Sequence, residues 1–125
     1  MNVLYINMSA GISGDMFLGA LINAGLPVPF VQKTVRKLGF KKTRVIVTSS
    51  ERHHLPGVSV RFTKDRSQTP AAMKRSIDQS GLNPMVKKRA HLMVSYLINA
   101  EASAHGKKPG QVHFHQLSEP DTLID

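Results

Sequence analysis

The sequence of 125 residues has no cysteine and no tryptophan, and only two tyrosines. Without a thiol it offers no disulfide, no thiolate nucleophile, no iron-sulfur ligand and no cysteine-based zinc site. Any metal it holds must be bound through imidazole nitrogen or carboxylate oxygen. Aromatic residues make up 6% of the chain, too few for the stacked platform on which single-stranded nucleic acid is bound. Acidic residues are scarce as well: eight Asp and Glu stand against seventeen Lys and Arg, a net charge of +9. That balance favours anionic partners such as phosphates, nucleotides or nucleic acid. Long apolar runs are also missing. The N-terminal run Val3 to Ile6 (V-L-Y-I) is too short for a membrane span or for the core of a secretory signal, so a cytoplasmic protein without membrane contact is expected.

What is present describes one compact domain, with 41% hydrophobic and 20% charged residues. Val3 to Ile6 reads as a central strand buried on both faces. The small-residue turn Ser9 to Gly14 (S-A-G-I-S-G) follows, and then a helix in which Phe17, Ala20, Leu21 and Ala24 recur until Gly25 and Pro27. Val31, Val35 and Leu38 predict a second helix ended by Gly39, with Lys33, Arg36 and Lys37 on its solvated side. Arg44 to Ser49 and Val58 to Thr63 alternate and are β-branched, which predicts an antiparallel hairpin turning at His54-Leu55-Pro56-Gly57. Thr69-Pro70 opens a helix to Gln79. From Asn83, the stripe Val86, Ala90, Met93, Leu97, Ala100 and Ala104 predicts a long helix ended by Gly106, after which Val112 to His115 reads as a short strand. Ser118-Glu119-Pro120-Asp121 carries the signature of a further helix start. Since a helix of one or two turns is marginal in water, a single N-terminal domain, residues 1–125 of a longer protein, is expected. The predicted architecture is an α/β domain bordering on α+β, a mixed sheet of about four strands with helices packed on it, in the order β-α-α-β-β-α-α-β-(α).

Two constellations could carry chemistry. In the first, Ser13, Gly14 and Asp15 follow a glycine-rich turn at a helix start. Backbone N–H groups there can cradle a phosphate, with a cation between it and Asp15; equally, Ser13 can be an N-cap and Asp15 a carboxylate favoured by the helix dipole. In the second, His113 and His115 flank Phe114, so on an extended chain both imidazoles share a face. Glu101 and His105 lie four apart on one helix face, and so do Asp121 and Asp125, with Glu119 nearby. Oxygen and nitrogen donors of this kind suit Ni, Zn, Mn or Mg; alternatively they are helix pairs and caps. His53, His54 and His91 read as structural or solvent-exposed.

The segment S-A-G-I-S-G-D-M-F-L-G-A-L, Ser9 to Leu21, closely resembles the N-terminal signature of the nickel-pincer cofactor nickel-insertion proteins, the LarC family. Glu101-Ala102 with His105-Gly106 resembles that family's E-A-x-x-H-G, and Val112 to His115 with Asp121 and Asp125 resembles its V-H-F-H-E-V-G-x-x-D-x-x-x-D. Gln116 and Ser118 stand where that pattern has Glu and Gly, and Lys64 to Thr69 occupies the place of a His-rich insert found in many members. The resemblance implies a nickel chelatase of the lyase class. Such an enzyme inserts Ni²⁺ into a pyridinium bisthiocarboxylate mononucleotide and couples insertion to CTP hydrolysis with Mn²⁺ or Mg²⁺.

In that reading Asp15 and Asp121 are catalytic, Ser13 and Gly14 bind the cofactor nucleotide, and His113, His115, Glu101, His105 and Asp125 take the metal. The nucleotide chemistry is implied to lie in a C-terminal catalytic domain absent from these residues, so the isolated domain is expected to be inactive. The partners implied are the anionic mononucleotide, the C-terminal domain and, as an open option, a second copy of the chain. Two rivals remain from other classes: a non-catalytic metal-binding or metal-delivery module, and a basic nucleic-acid-binding domain supported by charge alone.

Overall fold

A computed structural model describes residues 3–9, 11–52, 54–114 and 117–124, and the side chain of residue 52 lies outside that description. Five α-helices and one hairpin follow in the order α1 (Gly14–Asn23), α2 (Val28–Lys37), β1 (Val45–Arg52), β2 (Leu55–Phe62), α3 (Pro70–Gln79), α4 (Pro84–Ala104), a 3₁₀ turn (Pro109–Gln111) and α5 (Pro120–Ile124). The fold is mixed α and β, as expected. Its sheet, however, has two strands among the described residues rather than about four.

The hairpin is antiparallel, with Val45 opposite Phe62, Val47 opposite Val60 and Ser49 opposite Val58. Those pairs share one face, because side chains alternate along a strand. The other face carries Ile46 with Arg61 and Thr48 with Ser59, the pattern of a sheet with one covered and one wet side. The turn is tighter than predicted. Arg52 pairs with Leu55, so Leu55, Pro56 and Gly57 belong to the strand, and His54 sits in the turn at a φ of 63°. Proline is tolerated in β2 because both strands of a two-stranded sheet are edges.

Helix α1 lies against β2, with Gly19 buried at the contact. Leu18 and Ile22 pack onto the core, whereas Ala20 and Ala24, expected on the buried stripe, face solvent. In α2 the predicted face holds: Val31, Val35 and Leu38 are buried, Lys33, Arg36 and Lys37 are exposed, and Gly39 ends the helix at a φ of 92°. The Gln32 side chain ties α2 to the hairpin, its Nε2 donating to the Thr43 carbonyl at 2.9 Å and its Oε1 accepting from the Val45 N–H at 2.9 Å. An edge-strand N–H is thereby satisfied without a third strand.

Thr69 caps α3, accepting from the Ala72 N–H at 3.2 Å, and Asn83 caps α4, accepting from the Met85 N–H at 2.8 Å. The buried face of α4 is Val94, Ile98 and Ala102, with Ala90 and Leu97 half-buried beside it. Of the predicted stripe, Val86, Met93, Ala100 and Ala104 are exposed. Apolar residues occur on more than one side of this helix, and period alone did not tell which side the core would take.

Two apolar clusters form the core. Met73, Ile77, Val94, Ile98, Ala102, Val112 and Phe114 gather α3, α4 and the segment after the 3₁₀ turn. Val31, Val35, Leu38 and Phe40 gather α2 with α1, the hairpin and α5. Leu123 of α5 packs against both. The two missing strands fail for different reasons. Val3 and Tyr5 are 78% and 85% exposed and lie in no ladder, so the apolar N-terminal run has neither a hydrogen-bonding neighbour nor a cover among the described residues. Val112 and Phe114 are buried and His113 is exposed, as alternation requires, but they bury against helices rather than beside a strand.

Candidate functional site

The turn before α1 brings Ser13 to the N-cap position, but its side chain makes no capping bond. The Ser13 hydroxyl donates instead to the Asp15 carboxylate. Gly14 is the first residue of α1, and Asp15 lies exposed in its first turn. Ser13 therefore does not cap the helix, while Asp15 holds the place at the helix start that both readings gave it. What remains is a carboxylate at the positive end of a helix with a hydroxyl fixed on it.

Near the end of α4, His105 Nε2 lies 3.3 Å from Glu101 Oε1, with the histidine half-exposed and the glutamate mostly covered. The helical spacing predicted from sequence does place these two donors together. The chain then reverses through the 3₁₀ turn, and His113 emerges exposed between Val112 and Phe114. His115 and Asp125 fall outside the described residues. Among the described residues no group of three His, Asp or Glu side chains comes together in a way that could hold a metal ion. The expected convergence of His113, Glu101, His105 and Asp121 is therefore not found there.

Asp121 belongs to a different neighbourhood. With Glu119 and Pro120 at the start of α5, and Phe62, Thr63 and Lys64 at the end of β2, it lines an open cavity of about 350 Å³. Two carboxylates and one ammonium thus face a common space. The glutamate and aspartate were legible as a helix start; Lys64, more than fifty positions away in the chain, was not. The backbone around it is firmly tied, the Thr63 N–H donating to the Arg44 carbonyl at 3.0 Å and its hydroxyl accepting from the Arg44 N–H at 2.8 Å.

His53 falls outside the described residues, and the two remaining histidines have local partners. His91 Nε2 lies 2.7 Å from Asp78 Oδ1 and links α4 to α3, while exposed His54 lies 3.5 Å from Glu51. No helix among the described residues is long and apolar enough to cross a membrane.

Small domains of mixed α and β structure with paired imidazole and carboxylate donors are a broad class, and comparison with known proteins narrows it. The profile of the family described as nickel insertion protein matches residues 4–125. Proteins named for nickel insertion in Geobacter sp. (strain M21) and Citrifermentans bemidjiense are each 34% identical to this chain over 129 aligned positions, covering all of it and 34% of their own length. A protein of the same name in Dictyoglomus thermophilum is 30% identical, again across the whole chain and 33% of its own length. No solved structure matches. The chain belongs to the nickel insertion protein family. It spans about a third of the length of the curated relatives it matches.

Proposed function

We propose that this chain is the N-terminal part of a nickel-inserting chelatase. Its substrates would be Ni²⁺ and an anionic pyridinium bisthiocarboxylate mononucleotide, and its reaction that of a CTP-dependent lyase supported by Mn²⁺ or Mg²⁺. The observation that carries the reading is the family match along residues 4–125. The chemistry of the Glu101–His105 pair supports it, since one imidazole and one carboxylate are donors that nickel accepts. A pair holds a metal less firmly than a closed set of four, and it leaves coordination positions for the sulfur atoms of the acceptor. A site that must release its metal benefits from both properties. His113, His115 and Asp125 are the further donors in this reading, Ser13, Gly14 and Asp15 serve the nucleotide, and Asp121 is the second catalytic carboxylate.

The same two-donor geometry also supports a metal-delivery module with no chemistry of its own. Two measurements separate the readings. Calorimetric titration of the chain with Ni²⁺ should show binding that Glu101→Gln and His105→Ala each weaken about tenfold or more; unchanged affinity in both would remove the pair from the site. Nickel insertion should be absent for the chain alone and appear, with CTP consumption, when it is combined with the remaining two thirds of a family relative. Insertion without CTP consumption would favour delivery, and no insertion at all would refute the chelatase reading.

A further inference from the structure

The loop Lys64 to Thr69 runs along the side of α3, and the two enclose a cavity of about 260 Å³. Arg66, Ser67 and Gln68 line it from the loop, and Arg75, Ser76 and Gln79 from the helix. Positions 75, 76 and 79 lie within one turn of each other on a single helix face. We propose that this cavity is a binding site for a phosphomonoester or phosphate dianion, held between the guanidinium groups of Arg66 and Arg75 with the Ser67 hydroxyl as an additional donor.

Three observations carry this. First, the cavity is lined by two cations and no carboxylate, and neither guanidinium makes a hydrogen bond or an ion pair among the described residues. The nearest acidic neighbour in sequence, Asp65, lies outside that lining: its carboxylate accepts from the Arg66 backbone N–H at 2.8 Å and from the Thr43 hydroxyl at 3.0 Å, and it feels the Arg66 charge without an ion pair to it. Second, the loop is tied to the helix before any ligand arrives. Gln68 is 4% exposed, and its side-chain amide donates to the Ser76 hydroxyl at 3.2 Å. Its backbone N–H donates to the Ser118 carbonyl at 2.7 Å, and Thr69 caps the helix one residue later. The loop backbone and Gln68 are held in place, so the ordering needed on binding is confined to the exposed arginine side chains. Third, the chemistry and size agree. Arginine presents a planar fork that matches phosphate oxygens in pairs, and a phosphate group fits within a space of this volume.

The inference is independent of the nickel reading and uses none of its residues. It is tested by NMR titration of the isotopically labelled chain with inorganic phosphate, with cytidine monophosphate and with uncharged cytidine. Inorganic phosphate and the monophosphate should both give saturable shifts in amides between Arg66 and Gln79, and cytidine should give none. Arg66→Ala and Arg75→Ala should each weaken phosphate binding about tenfold or more, while Arg36→Ala, a cation removed from the exposed side of α2, should not. Both arginines are exposed, so the variants should fold, which their melting curves check. Were Arg36→Ala to weaken binding as much as Arg75→Ala, the response would reflect net charge, and the site would be refuted. Shifts that fail to saturate, or that fall outside the loop and α3, would refute it equally.

Discussion

Replacing Gly19 with alanine sets two well-understood effects against each other. Alanine is the better helix former, and in the middle of α1 the exchange should stabilise by about 1 kcal/mol on backbone grounds alone. Packing opposes this. A Cβ at Gly19 would lie 2.9 Å from the Val58 carbonyl oxygen, and 3.7 Å and 3.8 Å from methyl groups of Val60 and Val58. The methyl contacts are ordinary; the oxygen contact is closer than real Cβ atoms come. That oxygen is backbone, in the central part of a strand paired along its whole length with β1, so it cannot rotate away as a side chain would. Either α1 moves off the sheet, loosening Leu18 and Ile22 from the core, or the hairpin bends. Overpacking of this kind costs about 1–3 kcal/mol, so the net expectation for Gly19→Ala is a loss of about 1 kcal/mol, roughly 3–6 °C in Tm for a domain of this size. Ala20→Gly, one position along on the exposed side of the same helix, isolates the propensity effect and should cost about 0.5–1 kcal/mol. Urea or thermal unfolding measures both. A Gly19→Ala protein more stable than the parent would show that the sheet yields freely, and the packing argument would be wrong.

Met73 is fully buried between α3 and α4, so Met73→Ala should lower stability by about 2–5 kcal/mol in chemical denaturation; a loss below 1 kcal/mol would mean that this cluster is not a packed core. Asp65 is held below its ordinary value of 3.8, chiefly by the Arg66 backbone N–H and then by the Thr43 hydroxyl. A depressed carboxylate stabilises the fold above its unfolded value, and the contribution is lost as the pH falls through the lower folded value. Asp65→Asn should therefore melt below the parent protein near neutral pH, with the gap closing once the pH drops below about 3.8. A gap independent of pH would assign the effect to shape rather than charge.

Local signals were read most accurately where the chain's own neighbours decide the outcome. Thr69-Pro70 specified a helix start because a capping hydroxyl needs only the N–H groups just ahead of it, and Ala72 supplies one. The alternation of Arg44 to Ser49 and Val58 to Thr63 specified a hairpin because each strand is the other's partner. Val3 to Ile6 could not be decided in the same way. A run of four apolar residues states a preference for burial, but a buried strand also needs a ladder on at least one side, and none is found beside it among the described residues. On α4, apolar residues at several helical angles left the choice of face to the rest of the fold, and the core took Val94, Ile98 and Ala102.

The candidate site divides along the same line. Glu101 and His105 could be paired from sequence because helix geometry fixes an i, i+4 contact wherever the helix itself goes. Placing Asp121 beside them required knowing where α5 docks, and α5 docks on the end of β2, so its carboxylate faces Lys64 and Glu119 instead. Arg66 and Arg75 illustrate the converse. Nine positions apart, one in a loop and one on a helix, they form no pattern in the sequence, and a loop of K-D-R-S-Q-T reads as ordinary polar surface. Only the folding back of that loop along α3, secured by Gln68 to Ser76 and to Ser118, turns two dispersed charges into one cavity wall. Surplus positive charge is thus gathered at a chosen place by hydrogen bonds that carry no charge themselves, and the net charge of +9 is a poor guide to where an anion would be held.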